Sequence, residues 1–397
     1  MSNAAASTSS TTPSELFPVP LEPRTRRLES IDMLRGLLMI LMALDHTRDF
    51  FSDFAVDPVD PHHSWPSLFF TRWITHLCAP GFVALAGASV YLQRRRGKSN
   101  TELQKLLITR GLWMMFIEVT VVSFGWAFAF EPVLQVFFAV GIAMVGLGLI
   151  IRLPYQLIAA IGIAIALLHN TLDPIHAASF GNYSDMWLLI HEQGILTIHN
   201  QPIAFVMYPA LAWFGIICLG YSFGPIFTSA PELRQRIALR LSGVFAVVFC
   251  ALRAFHLYGD HVQFEALQTP AQSAMSFMNV TKYPPSLDYM LATFSVVLAI
   301  YVVFDLASNR DWLAKARGVV ETYGRVPFFY YVQHLYLLHI TALLVGLVIG
   351  IRDPKPLNFS LGGVYLVWIA IVATLYWPCL WFSKLKARRR DWWLSYL

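Results

Sequence analysis

Charged side chains are scarce in this sequence. Asp, Glu, Lys and Arg make up 13% of its 397 residues while 56% are hydrophobic, against roughly 25% charged in an ordinary soluble domain. That balance excludes a single water-facing domain wrapped around one core, and the formal net charge of +5 needs no nucleic acid to explain it. Cysteine is rare as well. Cys78, Cys218, Cys250 and Cys379 fall one each in four different apolar runs with no CxxC pairing, so neither a disulfide framework nor a zinc site is expected, and all four read as packing residues. No GxxxxGK[ST] loop, nucleotide fingerprint or internal repeat occurs, and the histidines show no HxxxH or HExxH spacing, so no designed metal site is expected. Residues 1–20, "MSNAAASTSSTTPSELFPVP", lack the apolar stretch of a cleaved signal peptide and read as a disordered tail.

Long apolar runs are what the chain has. Stretches of the length needed to cross roughly 30 Å of hydrocarbon as a helix recur near 31–51, 68–92, 106–125, 132–151, 154–168, 203–224, 239–257, 287–305, 327–350 and 361–383. The expectation is an all-α integral membrane protein of about ten transmembrane helices, with nine and eleven left open by the short fifth run and by the apolar 169–202 connection. Residues 1–26 are expected to form a tail, 27–384 a single transmembrane domain, and 385–397 a basic C-terminal segment.

Orientation follows from Lys and Arg, which are retained on the cytoplasmic side. Every second connection is basic: Arg24, Arg26 and Arg27 before the first run; Arg94, Arg95, Arg96, Lys98 and Lys105; Arg152; Arg234 and Arg236; Arg310, Lys315 and Arg317; and Lys384 to Arg390 at the end. The alternate connections are acidic or neutral, as in 52–67, which holds Asp53, Asp57 and Asp60 and no Lys or Arg. Both termini are therefore expected in the cytoplasm.

The first run ends in "ILMALDHTRDFF", residues 40–51, where four ionisable side chains stand at a depth that should still be apolar. At 1.5 Å per residue from Ile31, His46 lies about 22 Å along the helix, in its outer third, with Asp45 beside it. The second run travels inward from Leu68 and brings Arg72 and His76 to a similar depth. Asp45, Arg48 and Asp49 share one face at i, i+3, i+4 and can neutralise most of their own charge, whereas His46 points about 100° away. Arg48 and Asp49 also fit a helix end among headgroups. An unpaired Asp deeper in a bilayer costs about 2.5–3.5 kcal/mol on the insertion scale, so Asp45 and His46 point to a functional cavity. Of twelve histidines, ten (His46, His62, His63, His76, His169, His176, His191, His199, His256 and His261) fall in the outer loops or the outer part of a run; His334 and His339 lie inside the ninth. An outer vestibule rich in a group that titrates near neutrality suits general base catalysis, although any one loop histidine is more simply a surface residue.

Six stretches in order, "RRLESIDMLRGLLMILMALDHTRDFF", "FFTRWITHLCAPGFVALAGASVYL", "LQVFFAVGIAMVGLGLIIRLP", "YPALAWFGIICLGYSFG", "FMNVTKYPPSLDYML" and "GRVPFFYYVQHLYLLH", resemble the prokaryotic membrane family related to the catalytic domain of heparan-alpha-glucosaminide N-acetyltransferase. The likeness runs from about Arg26 to His339, and the family's SxDxxRG opening is matched by Ser30, Asp32, Arg35 and Gly36. The resemblance implies a multi-span acyltransferase that takes an acetyl group from cytosolic acetyl-CoA to a sugar amine or hydroxyl across the membrane. The lysosomal branch carries Asn where this chain has His46, and its essential histidine precedes a Ser-Trp pair, a spacing met here in "PHHSW" by His62 with His63 next to it. Either loop histidine can then be the base with His46 in support, or His46 has taken over. A base held in a packed, low-dielectric helix is better positioned than one on a proline-flanked loop, which favours His46 with Asp45 nearby.

Other motifs carry two readings each. Ser30 can cap the first helix with Asp32 in its positive first turn, or the pair can grip the CoA end. "RRRGK" at 94–98 suits CoA phosphates as well as the positive-inside rule. "KYPPS", Lys282 to Ser286, is a rigid lip over the acceptor site, with Lys282, Tyr283 and Arg72 as substrate-binding candidates, or a plain stiff loop. Gly220 and Gly224 mark a close helix contact. His334, with Tyr330, Tyr331 and Gln333 around it, lies about 10 Å from the inner end of the ninth run on the path of an incoming pantetheine arm, or is a core histidine satisfied by Tyr. The reading is an acyltransferase with acetyl-CoA as donor substrate, no metal, a carbohydrate or glycan acceptor, catalytic candidates His46, Asp45, His76, His62 and His63, and a bacterial inner-membrane location, with a homo-oligomer left open. The competing reading is a proton-coupled transporter or flippase using Asp45, His46 and Arg72 as a relay; the absence of paired inverted repeats and broken helices tilts against it.

Overall fold

The computed structural model describes residues 29–52, 55–199, 201–308, 310–351, 357–389 and 391–395. The expected tail at 1–26, and with it Arg24, Arg26 and Arg27, lies outside them. The helices are α1 (Glu29–Phe51), α2 (Pro66–Ile74), α3 (Cys78–Arg95), α4 (Asn100–Ile117), α5 (Ser123–Ala127), α6 (Val136–Ile150), α7 (Tyr155–Leu168), α8 (Ser184–Ile190), α9 (Ala210–Phe227), α10 (Pro231–Ala254), α11 (Pro270–Met278), α12 (Leu287–Ala307), α13 (Ala314–Arg325), α14 (Pro327–Ile349) and α15 (Leu361–Arg388). Their starts follow local chemistry. Ser99 and Glu102 form a reciprocal capping box on α4, Ser286 and Ser360 cap α12 and α15, and proline opens α2, α10, α11 and α14.

Eight helical stretches among the described residues are long and apolar enough to cross a membrane: Pro66–Arg95, Asn100–Ala127, Tyr155–Leu172, α9, α10, α12, α14 and α15. The chain is an all-α, multi-pass integral membrane protein. Two further expected spans are present as helices of a different character. α6 is apolar but only 15 residues long, and α1 is the charged one, with 17 of its 23 residues buried. α1 packs against α3, α12, α13, α14 and α15, so Asp32, His46 and Arg48 are buried in protein while Asp49 and Glu29, near its ends, stay more open.

Several details depart from the apolar pattern. The second run is broken by a 3-10 turn at Thr75–Leu77 between α2 and α3, and the third passes through a π-helical turn at Glu118–Val122. The sixth begins late: residues 201–206 form β3 (Gln201–Val206), which pairs antiparallel with β2 (Gly194–Ile198) and parallel with β1 (Val133–Leu134). Pro209, at the N-cap of α9, disfavours helix in the residue before it, so the helix cannot start earlier. Ser30 is inside α1, and its hydroxyl donates to Asp305 at 3.1 Å, a carboxylate that also takes Arg234 and Gln235. Cys78, Cys218 and Cys379 are buried as packing residues, but Cys250 is exposed. The basic C-terminal segment begins within α15, which runs on to Arg388.

Small residues set the helix register around the site. A Cβ on Gly36 would lie 1.9 Å from the Val320 carbonyl oxygen, and one on Gly324 would lie 1.8 Å from that of Asp32; α13 therefore crosses α1 in direct backbone contact. Gly220 makes the expected close helix contact, with its Cβ position 2.1 Å from the Ala84 carbonyl oxygen, and Gly224 lies against the Tyr91 ring.

Candidate functional site

α1 and α14 leave this crossing side by side. Arg35 donates to the Gly324 carbonyl at 3.2 Å; from there α1 rises eleven residues, about 16 Å, to His46, while the chain breaks at Val326 and α14 rises seven residues, about 10 Å, from Pro327 to His334. The two imidazoles therefore meet, Nδ1 of His46 lying 2.7 Å from Nε2 of His334. The separate depths expected from the sequence do not hold, because the ninth helix starts beside the interior of α1 and not level with its first residue.

A cavity of about 340 Å³ lies below this pair, its lining on α1 and α14 ending at Met42 and Tyr331, about one turn short of the two histidines. On α1 it is lined by Arg35, Met39 and Met42, at i, i+4 and i+7, and the next rung of that face, at i+11, is His46. On α14 it is lined by Pro327, Phe328 and Tyr331, and His334 follows three residues later. Arg35, Arg110, Gln93 and Lys386 are among its few polar groups, and Arg35 is held by Asp32 at 3.2 Å and Ser89 at 3.4 Å. The remaining wall is mostly apolar, from α3, α4 and α6. The cavity is thus basic where α1 starts and α15 ends, and apolar towards the histidines.

Aromatic rings enclose the imidazole pair. Trp126 meets His46 edge-on with centroids 4.8 Å apart, and Tyr331 lies 5.8 Å from His46 and 5.3 Å from His334. His334 is fully buried and its Nδ1 lies 3.0 Å from the Tyr330 carbonyl oxygen. His46 retains 9% exposure.

The acidic and basic candidates assemble on a different face of α1. Asp45 pairs with Arg48 at 3.1 Å and Arg72 at 2.8 Å, Arg48 pairs with Asp49 at 2.6 Å, and Arg72 also reaches the Thr75 hydroxyl at 2.9 Å. The expected Asp–Arg–Asp cluster is present, with Arg72 as its fourth member. Lys282 is buried, 5.0 Å from the ring centre of Tyr283 and 5.8 Å from that of Tyr208, and within electrostatic reach of Asp45 and His46. Its loop is pinned by Asp260, which accepts from the Thr281 amide at 2.8 Å and the Ser286 hydroxyl at 2.6 Å.

His76 sits in the turn between α2 and α3, buried, with its ring 5.4 Å from Tyr289 and its carbonyl accepting the Tyr289 hydroxyl at 2.8 Å. The loop histidines are elsewhere. His62 and His63 are exposed; His63 meets Asp60 at 2.5 Å and His62 faces Glu265 at 3.8 Å. Burial raises the Asp60 carboxyl, but the bonds from His63 and from the His62 amide together outweigh it and hold the group below its ordinary value.

Sequence reasoning passed over Trp126, Arg110 and Glu118. Glu118 is fully buried in the π-helical turn and accepts the Phe137 and Phe138 amides at 2.7 and 3.1 Å, closing the exposed start of α6. A lone acid in "MMFIEVTVV" was the available signal. Trp126 offered none, because its partners come from remote parts of the chain.

A family model described as heparan-alpha-glucosaminide N-acetyltransferase, catalytic, matches residues 27–261, more than half of the 397 residues. The first four resembling stretches, Arg26 apart, lie within the match and the last two beyond it. No curated protein matches the chain.

Proposed function

The chain belongs to the heparan-alpha-glucosaminide N-acetyltransferase catalytic family, a family of transmembrane acetyltransferases, and from that premise we propose that it transfers the acetyl group of acetyl-CoA to a carbohydrate amine or hydroxyl on the opposite side of the bilayer. The observation that supports this reading is the cavity whose α1 and α14 walls climb from Arg35 and Pro327 to Met42 and Tyr331, about one turn below the His46–His334 pair. Arg35, Arg110 and Lys386 suit the CoA phosphates, the apolar length suits the pantetheine arm, and the thioester then arrives at His46.

His46 is the general base. The ring nitrogen not engaged by His334 takes the proton of the acceptor as its nitrogen or oxygen bonds to the thioester carbonyl carbon. The carbon–sulfur bond breaks, and the thiolate recovers that proton from the imidazolium, so the products are acetylated acceptor and free CoA. Asp45 holds Arg72 and Arg48 in place, and Lys282 and Tyr283, on their pinned loop, face the acceptor with His76 in the adjoining turn. The basic end of the cavity lies in the cytoplasm by the positive-inside rule, both helix ends that line it included, and the expected location is a bacterial inner membrane.

The test compares His46→Ala, His62→Ala and His63→Ala in liposomes with glycan supplied on one side. The expected outcome is loss of CoA release, by roughly 10²–10⁴, with acetyl-CoA binding by calorimetry retained, for His46→Ala alone. The same result for a loop histidine would transfer the role to it. Absence of acetyl-CoA binding in wild type, together with solute uptake driven by a pH gradient and abolished in His46→Ala, would replace the acyltransferase with a transporter.

A further inference from the structure

We infer that His334 is a positioning residue that fixes the tautomer of His46, leaving the lone pair on the nitrogen that faces the reaction. The inference rests on His46 being the base and adds to that assignment the residue that makes it competent.

The deduction starts from a group with no choice. A backbone carbonyl can only accept, so the 3.0 Å contact between the Tyr330 oxygen and His334 Nδ1 places a proton on Nδ1. In a neutral ring that leaves the lone pair on Nε2. The 2.7 Å contact from His334 Nε2 to His46 Nδ1 needs one proton between the two nitrogens, and it must come from His46. Neutral His46 is thereby the Nδ1–H tautomer, with its own lone pair on Nε2. The ring geometry agrees. The planes are 17° from parallel with centroids 4.9 Å apart, close to the sum of the nitrogen–nitrogen distance and the two ring radii, so the rings meet end to end in nearly a common plane and are not stacked face on face.

Two consequences follow for catalysis. Neutral histidine in water prefers the Nε2–H tautomer, so without His334 most His46 would carry a proton where the acceptor's proton has to go. After proton uptake, the His46 imidazolium donates to His334 Nε2 through a charge-assisted bond, which steadies the charge until the thiolate removes the proton. An aspartate orients the base in the serine-protease triad; a neutral histidine anchored to its own helix turn does so here, suited to a site walled by Trp126 and Tyr331.

The experiment uses full-length protein in nanodiscs. Nitrogen-15 NMR of the imidazoles is expected to show His46 Nε2 unprotonated and Nδ1 protonated at neutral pH in wild type. In His334→Ala the His46 signals should move towards the other tautomer, and kcat should fall roughly 10²-fold with KM for acetyl-CoA unchanged. His334→Gln, whose carbonyl oxygen can occupy the Nε2 position, should recover part of both. A protonated His46 Nε2 in wild type would overturn the inference even if no variant folds. So would a His334→Ala enzyme with full kcat while His46→Ala is inactive. Full activity in His46→Ala would instead remove the base assignment itself.

Discussion

Asp45→Asn tests the ion cluster most directly. Asp45 neutralises two guanidinium groups at 3.1 and 2.8 Å, but they do not lose equally. Arg48 keeps Asp49 at 2.6 Å, whereas Arg72 keeps only the Thr75 hydroxyl with 15% of its side chain exposed. Arg72 is the charge orphaned by the substitution. Removing one partner of a buried pair costs about 3–5 kcal/mol, and the residual exposure and the Thr75 bond place this case near 3. An unfolding entropy of about 2.1 cal/mol/K per residue over 397 residues amounts to about 0.8 kcal/mol/K, so Tm should fall by about 4 °C. The assay is thermal unfolding in detergent of Asp45→Asn, Arg72→Gln and the double variant. If the orphaned charge is the cause, the double variant melts above Asp45→Asn, with a coupling of about 1–3 kcal/mol. Additive losses would refute the reasoning, and a fall in activity with unchanged melting would assign Asp45 to the chemistry.

On a Cys250→Ser background, needed because Cys250 is exposed, a cysteine at Ala55 should be labelled by an impermeant thiol reagent in intact cells and one at Ser99 should not; the reverse would invert the topology. Gly36→Ala, which puts a methyl 1.9 Å from the Val320 carbonyl oxygen, should cost about 3 kcal/mol or more by forcing α13 off α1, seen as lost folded yield, and a normally melting variant would show that the contact is slack. The Asp173 carboxyl is pushed up by burial but more strongly held down by His191 at 2.9 Å and Asn170. Its stabilisation is therefore complete above the unfolded carboxylate pKa of about 3.9 and lost as pH falls below it. Asp173→Asn should flatten the acid side of the Tm–pH profile, and an unchanged profile would exclude this pair as a contributor.

Much of the scaffold was legible because a bilayer imposes a length and a polarity on every crossing helix. All ten apolar runs contain a helix, and Asp45, Arg48, Asp49 and Arg72 converge as helical spacing and depth suggested. What escaped depends on backbone detail or on remote parts of the chain. Gly36 was read only as the last residue of the SxDxxRG opening, whereas its lack of a side chain is what lets α13 approach. The depth of His334 was measured from the start of its own run, which assumes that every helix begins at the same level. α14 begins beside the interior of α1, and an error of a few turns separated two side chains that touch. The turn that breaks the second run at Thr75–Leu77 had its signal in Pro80, which has no amide hydrogen for the His76 carbonyl four residues back; that carbonyl accepts the Tyr289 hydroxyl instead.

The placement of the site also bears on how much of the chain is the functional unit. The family match ends at residue 261, yet Lys282 and Tyr283, the α14 wall with Tyr331, His334 and the Lys386 end of the cavity all come later. Before residue 261 the chain supplies His46, the ion cluster and the walls from α1, α3, α4 and α6; after it come the Lys282 loop, His334 and the walls from α14 and α15. These halves are joined at single-atom tolerance, by the glycine crossing of α1 and α13 and by the 2.7 Å bond between the imidazoles. A histidine pair split this way forms only when the last helices have docked on the first, so the same packing that holds the membrane bundle together also assembles the pair. The departure at His46 acquires a reason in this geometry. On the proposed reading an asparagine there could offer hydrogen bonds but could not take a proton near neutral pH, whereas a histidine backed by His334 could; the loop histidines are exposed, His63 meeting Asp60 at 2.5 Å and His62 lying 3.8 Å from Glu265.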